Sequence, residues 1–332
     1  MRSTSRLTRV PVLLGAAALL AASLASCTGV PGFGGCDPSY TGGDASSLVT
    51  ATGKVGSAPT VDFPTPLVAN KTPEVSVVAA GDGALIKPGA QVDYDFTLVD
   101  AKTGEALGAS GYDGAQFARV GVAQEHDAVS RALECVTVGS RIAVVSTWKE
   151  AKASFNTDAA ASIDDAATVV VVIDALQGYL GKADGFNQLP KDGLPVVATE
   201  VDGTPGLSLP AQAAPTSTEI GVIKGGDGAT LKTDDKAVVH YALWSWPTTI
   251  GDAPAQLGTT WTDHRAVTLG LTDVADGGGV PTGLLRGLVG AKVGSQVLVI
   301  LPPGADSFPA GKGPSSDDTT YIFVVDILGI QK

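Results

Sequence analysis

The chain has 332 residues, 44% of them apolar, and a formal net charge of −12, enough apolar content for two hydrophobic cores. Without a basic patch to hold phosphates, nucleic acid is excluded as a partner. Neither His126, His240 nor His264 neighbours a cysteine at ligand spacing, and the three form no constellation, so no metal and no cofactor is expected.

The N-terminus reads as a processing signal. Arg2, Arg6 and Arg9 form a charged region, and Val10 to Leu24 is an apolar run of 15 residues, shorter than the roughly 18 a membrane span needs. It ends in Leu24-Ala25-Ser26-Cys27, which resembles a bacterial lipobox. Residues 1–26 are therefore expected to be a lipoprotein signal peptide, with Cys27 the lipidated residue; the alternative is a stray thiol. Two acyl chains suffice for stable anchoring, so the mature chain, at −15 without the three arginines, is expected outside the cytoplasm on a bacterial membrane. Residues 27–45, rich in Gly, Ser and Pro, form an expected flexible tether. In that oxidising compartment Cys36 and Cys135 remain as an even pair and are expected to form a disulfide. It would close a loop of 99 residues, worth about 4–5 kcal/mol of chain entropy. The alternative is two unrelated thiols, one buried on a helix face.

Beyond the tether the chain contains itself twice. Gly81-Asp82-Gly83, Val92-Asp93-Tyr94 and Val138-Gly139-Ser140 recur as Gly226-Asp227-Gly228, Val239-His240-Tyr241 and Val293-Gly294-Ser295, at offsets of 145 to 155 residues. An earlier pair, Pro59 to Pro64 and Pro205 to Pro210, extends each copy toward its N-terminus. Two long copies argue for two domains of one fold and against a solenoid. The expected division is 46–180, a turn-rich linker at 181–193, and 194–332.

Strand signals dominate both copies. Tyr321 to Leu328 and Thr168 to Leu176 are β-rich runs, and alternation places Tyr321, Phe323, Val325 and Ile327 on one face. Ile142 to Val145 and Val297 to Leu301 are further strands after Val-Gly turns. Each copy offers one short helix, near Asp127 to Glu134 and near Thr282 to Val289. The fold class expected is α+β: two tandem units, each an antiparallel sheet wrapped over one short α-helix.

The ordered motifs of the second copy resemble the FKBP-type peptidyl-prolyl cis–trans isomerases. They run Gly226-Asp227-Gly228, Val239-His240-Tyr241, Trp261, Leu269-Gly270, Val280-Pro281-Thr282-Gly283-Leu284, Val293-Gly294, Pro302-Pro303 and Phe323 to Leu328. The first copy, over residues 72–180, carries the pattern in degenerate form. The resemblance implies two FKBP-like domains and a substrate pocket in the second, lined by Tyr241, Trp261, Val280, Leu284, Phe308 and Phe323. Its floor and edge depart from the family: Leu284 stands for the floor Trp, Thr262 for the Asp after the wall aromatic, and Pro281, which has no N–H, for a residue that donates one. In the first copy the match pairs Tyr94 with Tyr241, Leu107 with the wall, and Glu125 and His126 with Val280 and Pro281.

The chemistry implied is isomerisation of X-Pro bonds over a barrier of about 20 kcal/mol. An apolar aromatic bowl favours the twisted, less polar amide over the planar one. The expected partners are proline-containing segments of unfolded or exported proteins. The competing expectation is a non-catalytic extracytoplasmic binding or chaperone lipoprotein that kept the fold and lost the pocket. An open pocket at Tyr241 favours the first; a pocket filled, or capped by the insert between Trp246 and Gly258, favours the second.

Overall fold

The computed structural model describes residues 36–114, 117–123, 128–155, 163–274 and 278–332. Cys27, Glu125 and His126 lie outside them. Among the described residues the chain is mostly antiparallel sheet with few helices. A six-stranded sheet runs Glu74–Ala79, Arg141–Thr147, Thr168–Tyr179, Gln91–Asp100, Ala106–Ala109, with Ala118–Gly121 also on Gln91–Asp100. A seven-stranded sheet runs Phe186–Asn187, Glu219–Gly225, Gln296–Leu301, Tyr321–Gln331, Lys236–Ser245, Ala255–Thr259, with Val267–Gly270 also on Lys236–Ser245. Apart from Phe186–Asn187, the two sheets share one connectivity.

The repeat extends to single hydrogen bonds. Gly81 N–H donates to Ser140 Oγ at 2.8 Å, and Gly226 N–H to Ser295 Oγ at 2.9 Å. Gly139 N–H reaches Ala175 O at 2.7 Å, and Gly294 N–H reaches Ile327 O at 2.8 Å. A Cβ on Gly81 or Gly226 would collide with the carbonyl of Val138 or Val293, so this backbone approach admits only glycine.

Period-2 alternation builds three layers in each unit. In the second, the odd-numbered residues Val239, Leu243, Val297, Val299, Phe323 and Val325 face the helix Thr282–Leu288. The even-numbered Ala242, Trp244, Leu298, Ile300, Ile322 and Val324 face the hairpin Val196–Thr199/Pro205–Ser208 through Val197 and Leu207. The first unit repeats this with the hairpin Thr50–Thr52/Thr60–Asp62. The two matched Pro-containing segments are thus the second strands of equivalent hairpins. The helix docks through Gly283 and Gly287, where a Cβ would strike Leu301 and Val299 of the strand beneath.

Three expectations change. Among its described residues the first unit carries two short α-helices rather than one, Ala128–Ala132 and Trp148–Ala151. The stretch 181–193 is not a free linker: Phe186–Asn187 pairs with Lys224 and Gly225, and Ala183 N–H donates to Asp326. The tether is held well before residue 45. A disulfide joins Cys36 to Cys135, Ser39 N–H donates to Glu134, and Ser46 N–H donates to Glu74. Cys135 has φ 64° where the second unit has Gly290 at 89°, and both N–H groups make the same bond, to Ile86 O and Leu231 O at 2.9 Å.

The units pack against each other through a polar seam. Arg119 forks onto Asp93 at 2.6 and 2.9 Å and lies 5.0 Å over the Tyr179 ring. Tyr179 donates to Asp93 at 2.5 Å, and Arg119 reaches Thr268 of the second unit at 2.9 Å. Tyr179 also packs so closely on Gly329 that a Cβ there would lie 2.5 Å from its ring.

Candidate functional site

The helix-side face of the second sheet gathers aromatic side chains at one end. Tyr241 and Phe323 stand 6.5 Å apart between ring centroids, Phe308 and Phe323 6.3 Å, and Phe308 and Tyr321 5.2 Å in a T-shaped pair. Val280, Leu284 and Leu243 are buried beneath them, and Leu257 packs at the side. Tyr241 and Phe308 are half-buried. Of the expected site residues, the fold brings Tyr241, Val280, Leu284, Phe308 and Phe323 together. Tyr321, which sequence alternation put on the same face, completes the cluster, its hydroxyl accepting from Ser315 N–H at 3.1 Å.

Trp261 does not belong to this cluster, which corrects its expected role as a wall. It stacks on His240 at 4.2 Å on the opposite face and fills the space over Gly203 of the hairpin. The cause is local. The register shifts between Leu243 and Trp244, and the chain then leaves the strand in a turn closed by Trp261 N–H to Thr259 Oγ1 and His264 N–H to Trp261 O. Leu257 takes the wall position, followed by Gly258, whose missing Cβ would meet only open space. The place expected for Trp261-Thr262 is therefore taken by Leu257-Gly258.

A second correction concerns the first unit. Leu98 pairs with Gly108 and Val171, as Leu243 pairs with Gly258 and Phe323. The residue equivalent to Tyr241 is thus Phe96, not Tyr94, and Leu107 matches Leu257. Tyr94 is core at 1% exposure. Over Phe96 the first bowl is filled: Phe155 packs at 4.7 Å and Trp148 stacks on Phe155 at 6.0 Å, both buried. The insert between Trp246 and Gly258 does not cap the second bowl; its residues Thr249 to Pro254 border Leu207 to Gln212 on the hairpin side.

Electrostatics separate the two faces. The side chains gathered in the bowl are themselves uncharged, with the Arg286–Asp306 pair beside them where Asp306 O accepts from Gly283 N–H, and Tyr241's hydroxyl has no protein hydrogen-bond partner among the described residues. On the other face His240 is buried, which with the nearby His264 and Arg119 charges drives its imidazole down to about 3, so it is neutral. Burial raises Asp326 above the usual carboxylate range, against donation from Ala183 N–H and Gln296. Pro281 is buried at the start of the helix, its carbonyl accepting from Leu285 N–H. A separate cleft of about 1370 Å³ lies between the units, lined by Ile86, Pro88, Tyr179, Leu328 and Ile330. Tyr179 is the only aromatic among its described lining residues, whereas the Tyr241 cluster gathers four. Among the described residues no group of three or more His, Cys, Asp or Glu could hold a metal ion.

No protein-family model and no curated protein matches the chain. Solved structures do. The three FKBP domains of wheat FKBP73 match at 14% identity and TM-score 0.32, over 78% of this chain and 94% of that one. FkpA from Escherichia coli matches at 23% identity and TM-score 0.28, over 42% of this chain and 53% of that one, about half its length. A peptidyl-prolyl cis-trans isomerase from Pseudomonas syringae matches at 16% identity and TM-score 0.26, over 32% of this chain and 74% of that one.

Proposed function

We propose that the second unit is a peptidyl-prolyl cis–trans isomerase acting on X-Pro bonds of exported proteins, held at a bacterial membrane by a lipid on Cys27. One observation carries the reading: Tyr241, Phe308, Phe323 and Tyr321 converge with the apolar Val280, Leu284 and Leu257 on one face, with the Tyr241 hydroxyl free of a protein partner among the described residues. A proline ring fits among such side chains. The unpaired hydroxyl donates to a substrate carbonyl, and the apolar surround favours the twisted amide over the planar one. No nucleophile or base takes part. The first unit, with Trp148 and Phe155 in its bowl, is a scaffold.

A protease-coupled isomerisation assay on the full chain tests this. Acceleration that the Tyr241→Ala, Phe323→Ala double variant abolishes, with an unchanged circular dichroism spectrum, is the expected result. No acceleration across several residues before proline would overturn it.

The second reading is a non-catalytic binding or chaperone protein. Gly258 and Pro281 favour it, since neither presents the polar group the family pattern has there. So do Phe186 at 81% and Leu189 at 92% exposure, apolar side chains left in water. On that reading the protein suppresses aggregation of an unfolded client equally well with and without Tyr241 and Phe323.

A further inference from the structure

We propose that Gln91, in the first unit, is a positioning residue for the second unit's pocket: it fixes one tautomer of His240, and His240 through Thr260 holds the backbone of Tyr241. The proposal rests on the reading of Tyr241 as a pocket residue.

The argument follows the hydrogen atoms. Gln91 is 1% exposed and its amide is oriented by two backbone groups of the second unit. Its Oε1 accepts from Ala266 N–H at 3.0 Å, and its Nε2 donates to His264 O at 2.8 Å. The remaining Nε2 hydrogen points at His240 Nε2, 3.3 Å away. Two donors cannot face each other, so His240 Nε2 carries no hydrogen and the neutral ring is protonated at Nδ1. Nδ1–H then donates to Thr260 Oγ1 at 2.8 Å. That oxygen also accepts Tyr241 N–H at 2.9 Å, which fills its lone pairs and turns its own hydrogen to Tyr241 O at 3.3 Å. Thr260 N–H meets the same carbonyl at 3.0 Å. Both polar backbone atoms of Tyr241 are thus gripped by one threonine whose hydroxyl direction is set by His240, and His240's by Gln91.

The second unit alone lacks the first link of this relay. Without Gln91, His240 Nε2 can take the hydrogen, Thr260 can turn its own to Nδ1, and the grip on Tyr241 N–H and O changes. The close approach that delivers Gln91 is built in: a Cβ on Gly121, beside it, would strike His264 O. The first unit, with its own bowl filled, in this way still acts on the second one.

Long-range proton–nitrogen spectra of the full chain read the tautomer directly. The expected native spectrum has His240 Nδ1 protonated and Nε2 bare. In Gln91→Leu the ring is expected to shift toward the Nε2-protonated form. The X-Pro isomerisation kcat/KM is expected to fall about three- to tenfold. Gln177→Leu, which removes a bond across the seam to Ile330 O at 2.8 Å that is no link of the relay, should change neither by more than a factor of two. A native ring protonated at Nε2 would overturn the proposal without any variant, even if Gln91→Leu failed to fold. A ring unchanged in folded Gln91→Leu would overturn it equally. If the native chain shows no isomerase activity at all, the isomerase reading falls, and the tautomer measurements still decide the relay.

Discussion

His240 shows how one buried side chain sets a pH response. Its folded pKa of about 3 lies below the ordinary value of 6.5, so the unfolded chain binds the proton more readily. Its contribution to stability is complete above about pH 6.5 and is lost as pH falls toward 3. The urea midpoint of the native chain is therefore expected to drop between pH 7 and pH 4, and His240→Gln is expected to flatten that drop. An equal slope in both would contradict it. At Leu257 and Gly258 the prediction is a gain. Leu257→Phe with Gly258→Asp restores the family's step at a position open to solvent and should raise kcat/KM severalfold in the coupled assay. Most residues of the aromatic cluster were legible in the sequence because alternation fixes which side of a strand Tyr241 and Phe323 take. Trp261 was not, because a register shift and a turn carry it to the other face, and nothing in the residue string marks that shift.

The short helix Thr282–Leu288 depends on two glycines that face the sheet. Gly287→Ala gains about 1 kcal/mol of helix propensity but drives a Cβ to 2.5 Å from Val299 Cγ2. Overpacking costs about 1–3 kcal/mol, so a net loss of about 1 kcal/mol is expected, with Leu284 pushed into the bowl and KM raised. Cys135 offers a cleaner balance. Losing the disulfide should cost about 2–5 kcal/mol. Cys36→Ser with Cys135→Gly should recover about 1 kcal/mol relative to Cys36→Ser with Cys135→Ser, because φ 64° suits glycine. Chemical denaturation of the three proteins decides both. The core strands were readable because Gly-Asp-Gly and Val-Gly punctuate the chain at close backbone approaches; the Pro-containing segments showed as extended, but their pairing into hairpins did not. The second helix of the first unit, Trp148–Ala151, was not, since four residues are too few to show a period.

Across the whole molecule the repeat was visible and the seam between its units was not. Gln91, Asp93 and Arg119 sit in ordinary strand positions; Asp93 is met by Tyr179, 86 residues on, and Gln91 and Arg119 find partners in the second unit 147 to 175 residues away. Membrane attachment is tested apart from the fold: Cys27→Ser should move the protein from the membrane to the soluble fraction with its isomerase activity unchanged. If the lipid is there, the disulfide sets a working radius. The chain is clamped again at Cys36, nine residues after Cys27, and a fully extended chain gains at most about 3.5 Å per residue. On that condition the point at which the folded body begins lies within about 30 Å of the bilayer. A client must then come to a body moored close to the bilayer, and reduction of a single bond passes the mooring only to Ser39, held by Glu134.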